Sequence, residues 1–304
     1  MSTPLPADPG IEYRRGLVAT VGTFAVWGIF PLYWRQLEAI PSLQITAHRI
    51  AWCTLFVVGF LLWRNGLRWL PNTLARPRAA PLLVASSILI SINWVLYIWA
   101  VNAGYVVETA LGYFINPLVN VMLGVLVLRE RLNSRQWFAV ALAAAGVAWL
   151  TWSVGRLPWI ALTLAFSFGL YGLIRKMVSV ESVPGLGVES LIMFLPALGF
   201  LAWCEYGGVS GFGHVGRYED ALLIFAGVMT AVPLIWFAYG ARRIPLSLVG
   251  ILQYLAPTMQ LLTGVFLFGE PFSSQQLIGF GCIWAALAIY AVDGLWRIRM
   301  RGYG

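Results

Sequence analysis

Apolar runs of about twenty residues, separated by short polar or charged segments, recur along the whole chain. Each run is close to the ~20 residues that a helix needs to cross ~30 Å of hydrocarbon. Two of the runs are short and meet at the segment GRLP. The pattern predicts ten membrane-spanning helices, at 16–34, 45–63, 80–100, 107–128, 136–153, 157–174, 187–205, 220–240, 246–268 and 276–295.

The composition supports a membrane protein with several spans. Hydrophobic residues make up 60% of the chain and charged residues 11%, against roughly a quarter charged in soluble domains. The first apolar run ends in FPLYWRQ without a small-residue cleavage site, so we expect a retained span and not a signal peptide. Cys53, Cys204 and Cys282 lie in three different spans, so we expect neither a disulfide framework nor a zinc site.

The net charge of +8 is distributed unevenly between the two predicted sides of the membrane. If the N-terminus is cytoplasmic, only Arg35, Arg156 and Arg217 fall on external segments, and Arg49 lies within a span. The other basic residues then lie on the cytoplasmic side. An excess of Lys and Arg inside predicts that both termini are cytoplasmic. The basic charge therefore indicates topology and not binding of nucleic acid.

The second half of the chain resembles the first half at an offset of about 140 residues. The segment 115–137 aligns without gaps with 255–277, which matches Pro117 with Pro257. Spans 1–5 and spans 6–10 are therefore two copies of one unit. Because five is an odd number, the second copy must be inverted in the membrane. Inverted repeats are typical of transporters with a central site that opens alternately to either side.

Matching polar faces in spans 4 and 9 indicate a candidate substrate site. Tyr113, Asn116 and Asn120 recur at i, i+3 and i+7, on one face of span 4. The repeat offset places Gln253 and Gln260 at the matching positions of span 9. Polar side chains within spans are costly, so such residues mark functional sites or interhelical hydrogen bonds. Both interpretations stay open, and we favour a cavity lining for the matched faces together.

Pro117 and Pro257 lie near the middle of these two spans. Each proline lacks an N–H, so the carbonyl four residues earlier, in Tyr113 or Gln253, loses its helical partner. Interrupted helices at matching positions of two repeats point to a transporter binding site. We assign both prolines a structural or gating role.

Aromatic and amide side chains of two other spans are further candidates for substrate contact. Asn93, Trp94 and Tyr97 lie in span 3, with Asn93 and Tyr97 one helical turn apart, and Tyr171 lies in span 6. A cavity lined by aromatic and amide groups with little charge suits a planar, amphipathic or weakly cationic solute.

The sequence AHRIAW places His48 and Arg49 side by side in span 2. One explanation is that the long Arg49 side chain snorkels toward the outer surface. The topology offers another, because Glu108 begins span 4 in the same leaflet. We predict an Arg49–Glu108 pair, with His48 nearby, that braces or gates the outer vestibule. Glu189, the counterpart of Arg49 at offset 140, begins span 7 at the opposite face.

The sequence carries no motif of an enzyme or of primary active transport. HExxH, GxSxG and Walker motifs are absent, and there are only two histidines. No Asp or Glu lies at the midpoint of a span, so exchange and facilitated diffusion stay open as modes of transport. We expect no catalytic residues, metal or cofactor. The expected partners are a small-molecule solute and the lipid bilayer, with no nucleic acid, and a homodimer stays open.

Several segments closely resemble the RarD-type permeases, of the EamA branch of the drug/metabolite transporter superfamily. They include WGIFPLYW, AHRIAW, FSFGLYGLIRK, VESLIMFLPA and the long block INWVLYIWAVNAGYVVETALGYFINPLVNVMLGVLVLRERL. The resemblance covers about residues 12–293 and implies ten spans in two EamA repeats, cytoplasmic termini and a bacterial inner membrane. Superfamily members move small metabolites, drugs or nucleotide sugars. The motif positions carried over are His48, Arg49, Asn93, Trp94, Tyr97, Asn102, Glu108, Tyr113, Asn116, Pro117, Tyr171, Arg175, Lys176, Glu189, Gln253, Tyr254, Pro257 and Glu270, of which Tyr254 joins the candidate substrate contacts.

The expected fold is an all-α integral membrane protein, with ten transmembrane helices in two inverted five-helix repeats. We expect a cytoplasmic N-terminal segment at 1–15, repeats at 16–153 and 157–295, and a basic cytoplasmic tail at 296–304. The leading hypothesis is a secondary transporter, most simply an exporter of a small metabolite or drug-like solute by alternating access. The alternatives are a non-transporting accessory or assembly protein and a flippase for a lipid or lipid-linked sugar.

Overall fold

The computed structural model describes residues 9–103, 105–152, 158–267, 269 and 274–301 of the chain. Within the helices, the side chains of 9, 98, 101–102, 106–108, 275–276 and 294–301 lie outside the description. The described residues form α-helices joined by short turns, without a β-strand. The helices are α1 Pro9–Trp34, α2 Ser42–Asn65, α3 Trp69–Leu74, α4 Ala79–Asn102, α5 Val106–Leu126, α6 Ser134–Trp152, α7 Trp159–Met177, α8 Ser182–Tyr206, α9 Arg217–Ala241, α10 Leu246–Gln253, α11 Leu255–Leu267 and α12 Ser274–Arg301.

Eight helical segments of the described chain are long and apolar enough to cross a membrane. They correspond to α1, α2, α4, α5, α7, α8 and α9, together with the α10–α11 segment Leu246–Leu267. The helices α6 and α12 occupy the two other predicted spans, but the apolar part of α12 is limited to Leu277–Asp293. An all-helical protein with several membrane spans is thus confirmed, whereas the count of ten spans stays a prediction.

The chain forms two compact units, and each unit contains residues from both halves of the sequence. The first consists of Met1–Trp27, Tyr33–Ile88 and Ile174–Pro245. The second consists of Gly28–Leu32, Leu89–Leu173 and Leu246–Gly304. The compact units therefore differ from the sequence repeats, which we placed at 16–153 and 157–295.

In the first unit, α8 and α9 pack against α2. Glycines of α8 and α9 allow their close approach to α2. A Cβ on Gly187 of α8 would lie 2.7 Å from a methyl group of Leu61. A Cβ on Gly227 of α9 would lie 2.6 Å from the carbonyl carbon of Trp52. Small residues at helix contacts let backbones approach closely, as is common in membrane helices.

In the second unit, α12 packs against α6 and α10 packs against α5. A Cβ on Gly146 of α6 would lie 2.7 Å from the carbonyl oxygen of Gly279 of α12. Three of the tightly packed pairs, α2 with α8, α5 with α10 and α6 with α12, join helices that correspond at the sequence offset. The pair α5 and α10 contains the polar faces singled out in the sequence.

Candidate functional site

Three buried amide side chains meet where α5 packs against α10 in the second unit. Asn120 Nδ2 donates a 2.7 Å hydrogen bond to Gln253 Oε1 and a 3.2 Å hydrogen bond to Asn116 Oδ1. All three side chains are buried, and Asn120 has no exposed surface. The structure thus brings together three of the predicted substrate contacts, which we call the amide cluster.

A glycine on α10 lets the two helices approach closely enough to form the amide cluster. A Cβ on Gly250 would lie 2.5 Å from the carbonyl oxygen of Pro117 and 3.0 Å from Cβ of Asn120. Asn116 and Asn120 are one turn apart on α5, so both side chains face the same side. Any side chain larger than hydrogen at position 250 would push α10 away from this face.

The helix that contributes Gln253 is interrupted beside the amide cluster. The helix α10 ends at Gln253, and α11 begins at Leu255. Pro257 has no N–H to donate to the Gln253 carbonyl, which accounts for a break at this position. Between the two helices, Tyr254 N donates a hydrogen bond to the Ile251 carbonyl at 3.3 Å. In the first repeat α5 continues through Pro117 as one helix, so the interruption predicted there is wrong, and of these two helices only the second is interrupted. A membrane helix tolerates an internal proline where other groups satisfy the freed carbonyl.

A carboxylate at the other end fixes the start of α10. Glu130 Oε1 accepts a 2.6 Å hydrogen bond from Leu246 N, and Oε2 accepts a 2.9 Å hydrogen bond from Ser247 N. The Ser247 hydroxyl donates to the same Oε2 at 2.7 Å. These bonds satisfy N–H groups at the helix N-terminus, where a negative charge is also favourable. Glu130, which follows α5, therefore fixes the position of the start of α10. Its repeat counterpart Glu270 lies outside the described residues.

A charged network is buried in the first unit. Arg175 Nη1 of α7 lies 3.4 Å from Glu189 Oε1 of α8, and both side chains are almost completely buried. Ser86 of α4 donates a 2.5 Å hydrogen bond to the same carboxylate oxygen, and Arg175 Nη2 donates to the Ser182 carbonyl at 3.1 Å. A Cβ on Gly185 would collide with Arg175 Nη1, so this glycine makes room for the guanidinium.

His48 and Arg49 both make contacts within the first unit. The His48 ring packs against Phe212, with 5.0 Å between ring centroids. Arg49 Nε donates to Thr230 Oγ1 at 3.0 Å, and the guanidinium lies 4.7 Å from the centroid of the Trp34 ring. The side chain of Glu108 lies outside the described residues, so the Arg49–Glu108 pair stays a prediction.

Other predicted substrate contacts of the second unit lie at two further helix contacts, α4 with α7 and α4 with α5. Asn93 of α4 donates to the Leu164 carbonyl at 2.8 Å and to Ser167 Oγ at 3.0 Å, both on α7. The rings of Tyr97 and Tyr113 meet edge to face at 5.9 Å. The remaining members differ in burial, with Trp94 and Gln260 half-buried and Tyr171 and Tyr254 fully buried.

Tyr254 also serves the packing of α5 and α10. Its hydroxyl donates to the Phe114 carbonyl at 3.1 Å, and its ring packs in an apolar cluster with Val121 and Ile251. In the described part of the chain, no three His, Cys, Asp or Glu side chains are close enough to hold a metal ion. The hydrogen-bonding groups at the contact of α5 with α10 include amides, the Tyr254 hydroxyl and a backbone carbonyl.

The family model of EamA-like transporters matches the chain twice, at residues 14–152 and 157–292. The chain belongs to the EamA-like transporter family. The two matches correspond to the two halves that the sequence offset identifies.

Named relatives place this EamA family member among the RarD-type permeases. It is 44% identical to the Protein RarD of Streptomyces exfoliatus over 285 residues. This alignment covers 93% of this chain and 90% of the relative. The chain is 48% identical over 283 residues to the Uncharacterized transporter YojE of Bacillus subtilis, covering 92% and 94%. A crystal structure at 19% identity has a TM-score of 0.70 and covers 90% of this chain and 96% of its own, which shows the shared fold. The protein is therefore a membrane transporter with two EamA repeats.

Sequence reasoning about this EamA-like transporter missed the burial of Arg175. We counted Arg175 among the basic residues of a cytoplasmic segment, but it has no exposed surface and is bound to Glu189. The positive-inside count places Arg175 on the cytoplasmic side, which stays a prediction, but it does not indicate that the side chain is buried in an ion pair. Two features of the sequence could have revealed the pair. Glu189 is a second charge within an apolar span, 14 residues after Arg175, and Gly185 lies one helical turn before it.

Proposed function

We propose that this protein is a secondary transporter that exports a small metabolite or drug-like solute across the bacterial inner membrane by alternating access. We further propose that the solute contacts the amide cluster of Asn116, Asn120 and Gln253. The observation that carries this proposal is the position of the cluster, between two repeat-related helices and beside the interruption of one of them. Interrupted helices at the contact of two repeats are where secondary transporters bind their solutes.

The internal repeat supports alternating access. Two copies of five spans have opposite orientations in the membrane, and exchanging their conformations opens a central site to the opposite side. The packing of α5 with α10 and of α6 with α12 joins corresponding helices of the two copies. If the two copies move relative to each other, the contact between α5 and α10 changes, and a site at this contact changes with it.

The chemistry of the cluster indicates the kind of solute. Amide groups donate and accept hydrogen bonds without carrying charge, so they suit a neutral or weakly cationic solute. Polar groups buried among apolar helices are costly unless they are paired, and here they pair with one another. A solute that offers its own donors and acceptors can replace these internal bonds, which gives specificity without a fixed charge.

Two substitutions test the site. A thermal-shift screen of the purified protein against drugs, amino acids and lipid headgroups first identifies a solute, which is then measured for flux in proteoliposomes. We expect Asn116→Leu and Gln253→Leu to abolish flux while the protein still folds and inserts. Thr263→Val, which removes a buried hydroxyl of α11 and keeps a similar shape, is the matched control with normal flux. Normal flux in both amide variants would remove the cluster from the transport path.

One surface feature favours a second candidate function, the flippase for a lipid or lipid-linked sugar. A mostly apolar groove runs along α4 and α7 in the second unit, beside the hydrogen bond from Asn93 to Ser167. A groove of this kind suits an acyl chain whose polar headgroup contacts Asn93. Movement of a fluorescent lipid between leaflets, lost in Asn93→Leu, distinguishes this function from flux of a soluble solute. The groove is lined by Leu89, Ile92, Leu162, Thr163, Phe166, Ser167 and Leu170.

A further inference from the structure

The amide cluster contains one buried oxygen atom without a hydrogen-bond partner. Asn120 uses its Nδ2 group for both bonds within the cluster, and its Oδ1 atom has no partner among the described residues. The side chain has no exposed surface, so bulk solvent does not reach this oxygen. Buried acceptors without a donor are rare in native proteins, and each one calls for an explanation such as an ion that is bound there.

The end of α10 supplies a further acceptor oxygen. The Gln253 carbonyl would accept its helical hydrogen bond from residue 257, which is Pro257 and has no N–H. This carbonyl lies at the C-terminus of α10, where the helix dipole adds negative potential. The interruption therefore presents a backbone oxygen without a helical donor.

The hydrogen bond between the two helices ties Asn120 to the residue that carries this carbonyl. Asn120 Nδ2 is 2.7 Å from Gln253 Oε1, and Asn120 Oδ1 belongs to the same planar amide group. Gly250, one turn before the end of α10, brings the α10 backbone against Asn120. The unpartnered oxygen thus belongs to a side chain that contacts Gln253, the last residue of α10, whose carbonyl has no helical donor.

We propose that the interruption between α10 and α11 binds a monovalent cation through uncharged oxygens of Asn120 and Gln253. The cation is an inorganic ion or the ammonium group of an organic solute, since both need the same oxygen ligands. An anion does not fit, because the unpartnered side-chain atom is an acceptor. Carbonyls at the ends of interrupted helices coordinate cations in other secondary transporters. The role of the cation in transport rests on the proposed function, whereas its binding does not.

Thermal unfolding of the purified full-length chain tests the proposal without a known solute. The protein is titrated with NaCl, KCl or methylammonium chloride, with choline chloride keeping the ionic strength constant. Choline has no N–H and is too large for a site between packed helices. We expect a saturable rise in Tm of roughly 5 °C with at least one of the three cations, because ligands that bind the folded state stabilise it. A shift with Na⁺ or K⁺ identifies an inorganic ion, and a shift with methylammonium alone identifies a solute group.

Substitutions locate the cation. Asn120→Leu removes the unpartnered oxygen, and we expect it to abolish the shift. If this variant does not fold, Asn120→Ser retains a small polar group and is expected to weaken the apparent affinity at least fivefold. Thr263→Val, in α11 outside the amide cluster, is the matched control and should retain the wild-type shift.

Three results would overturn the cation site. The first is the absence of a saturable shift with all three cations in the wild-type protein. The second is a wild-type response in a folded Asn120 variant, and the third is loss of the response in Thr263→Val. If the cation shift fails but flux still requires Asn116 and Gln253, the proposed transport stands without this cation. If the shift is present and the amide variants transport normally, the cation site stands without the proposed solute path.

Discussion

The amide cluster and the Arg175–Glu189 network are both buried and polar, but they differ in charge. The network joins full charges at 3.4 Å, with Ser86 and the Ser182 carbonyl as further partners. The amide cluster is neutral. Each site leaves one buried atom without a hydrogen-bond partner among the described residues, Arg175 Nε in the network and Asn120 Oδ1 in the cluster. A buried ion pair is costly to disturb, whereas a neutral cluster can exchange partners at little cost. We therefore assign the network a structural role and the amide cluster the contact with the solute.

Removing one charge of the network should have the largest effect on stability. Glu189→Leu leaves the Arg175 guanidinium buried without its partner, which costs about 3–5 kcal/mol. The double variant Arg175→Met with Glu189→Leu removes both charges and should recover much of this loss. Thermal unfolding of both purified variants in detergent measures the difference. A double variant that is no more stable than Glu189→Leu would show that the pair is not a coupled unit.

A methyl group added beside the guanidinium should disturb the network with a smaller effect. Gly185→Ala places a Cβ against Arg175 Nη1, and overpacking of this kind costs about 1–3 kcal/mol. Gly199→Ala is the matched control in the same helix, because no atom lies within 4 Å of its Cβ position. We expect the Tm to fall for the first variant and to stay or rise slightly for the second. Equal Tm values for the two would contradict the close packing of Gly185 on Arg175.

A methyl group at the amide cluster should affect transport more than stability. In Gly250→Ala the new Cβ meets the Pro117 carbonyl and separates α10 from α5, which lengthens the bond between Asn120 and Gln253. We expect flux to fall at least tenfold, with a stability loss of about 1–2 kcal/mol. Gly281→Ala of α12, with open space at its Cβ position, serves as the control. Normal flux in Gly250→Ala would show that transport does not depend on this helix contact.

The smallest expected effect on stability is that of Asn116→Leu. The substitution removes one of the two hydrogen bonds of Asn120 Nδ2, and the 2.7 Å bond to Gln253 Oε1 remains. One neutral hydrogen bond contributes about 0.5–1.5 kcal/mol, so the Tm should change by only a few degrees. A collapse of stability comparable to that of Glu189→Leu would show that the amide cluster is structural, like the network.

The features that the sequence predicts well depend on short-range patterns. Spacings of three and four residues placed Asn116 and Asn120 on one face of α5, and the repeat offset added Gln253. Pro257 indicated the interruption, because a missing N–H acts on a carbonyl only four residues away. The same rule was wrong for Pro117, which lies inside the continuous helix α5, so a proline alone does not predict a break. The all-helical fold follows in the same way from the lengths of the apolar runs.

The features that the sequence did not predict depend on contacts between distant helices. Nothing local indicates that Arg49 binds Thr230, which is 181 residues away, or packs on Trp34. The burial of Arg175 is not indicated locally, because its partner Glu189 belongs to the next helix and is brought close only by packing. The compact units likewise combine segments of both repeats, an arrangement that the sequence offset does not indicate.

The most direct test of the central claim is solute flux in proteoliposomes containing Gln253→Leu. The solute is the compound with the largest thermal shift, and Thr263→Val is measured in parallel as the folded control. We predict that Gln253→Leu abolishes flux, while its Tm stays within a few degrees of the wild-type value and Thr263→Val transports normally. Wild-type flux in a folded Gln253→Leu protein would contradict the assignment of the amide cluster as the solute contact.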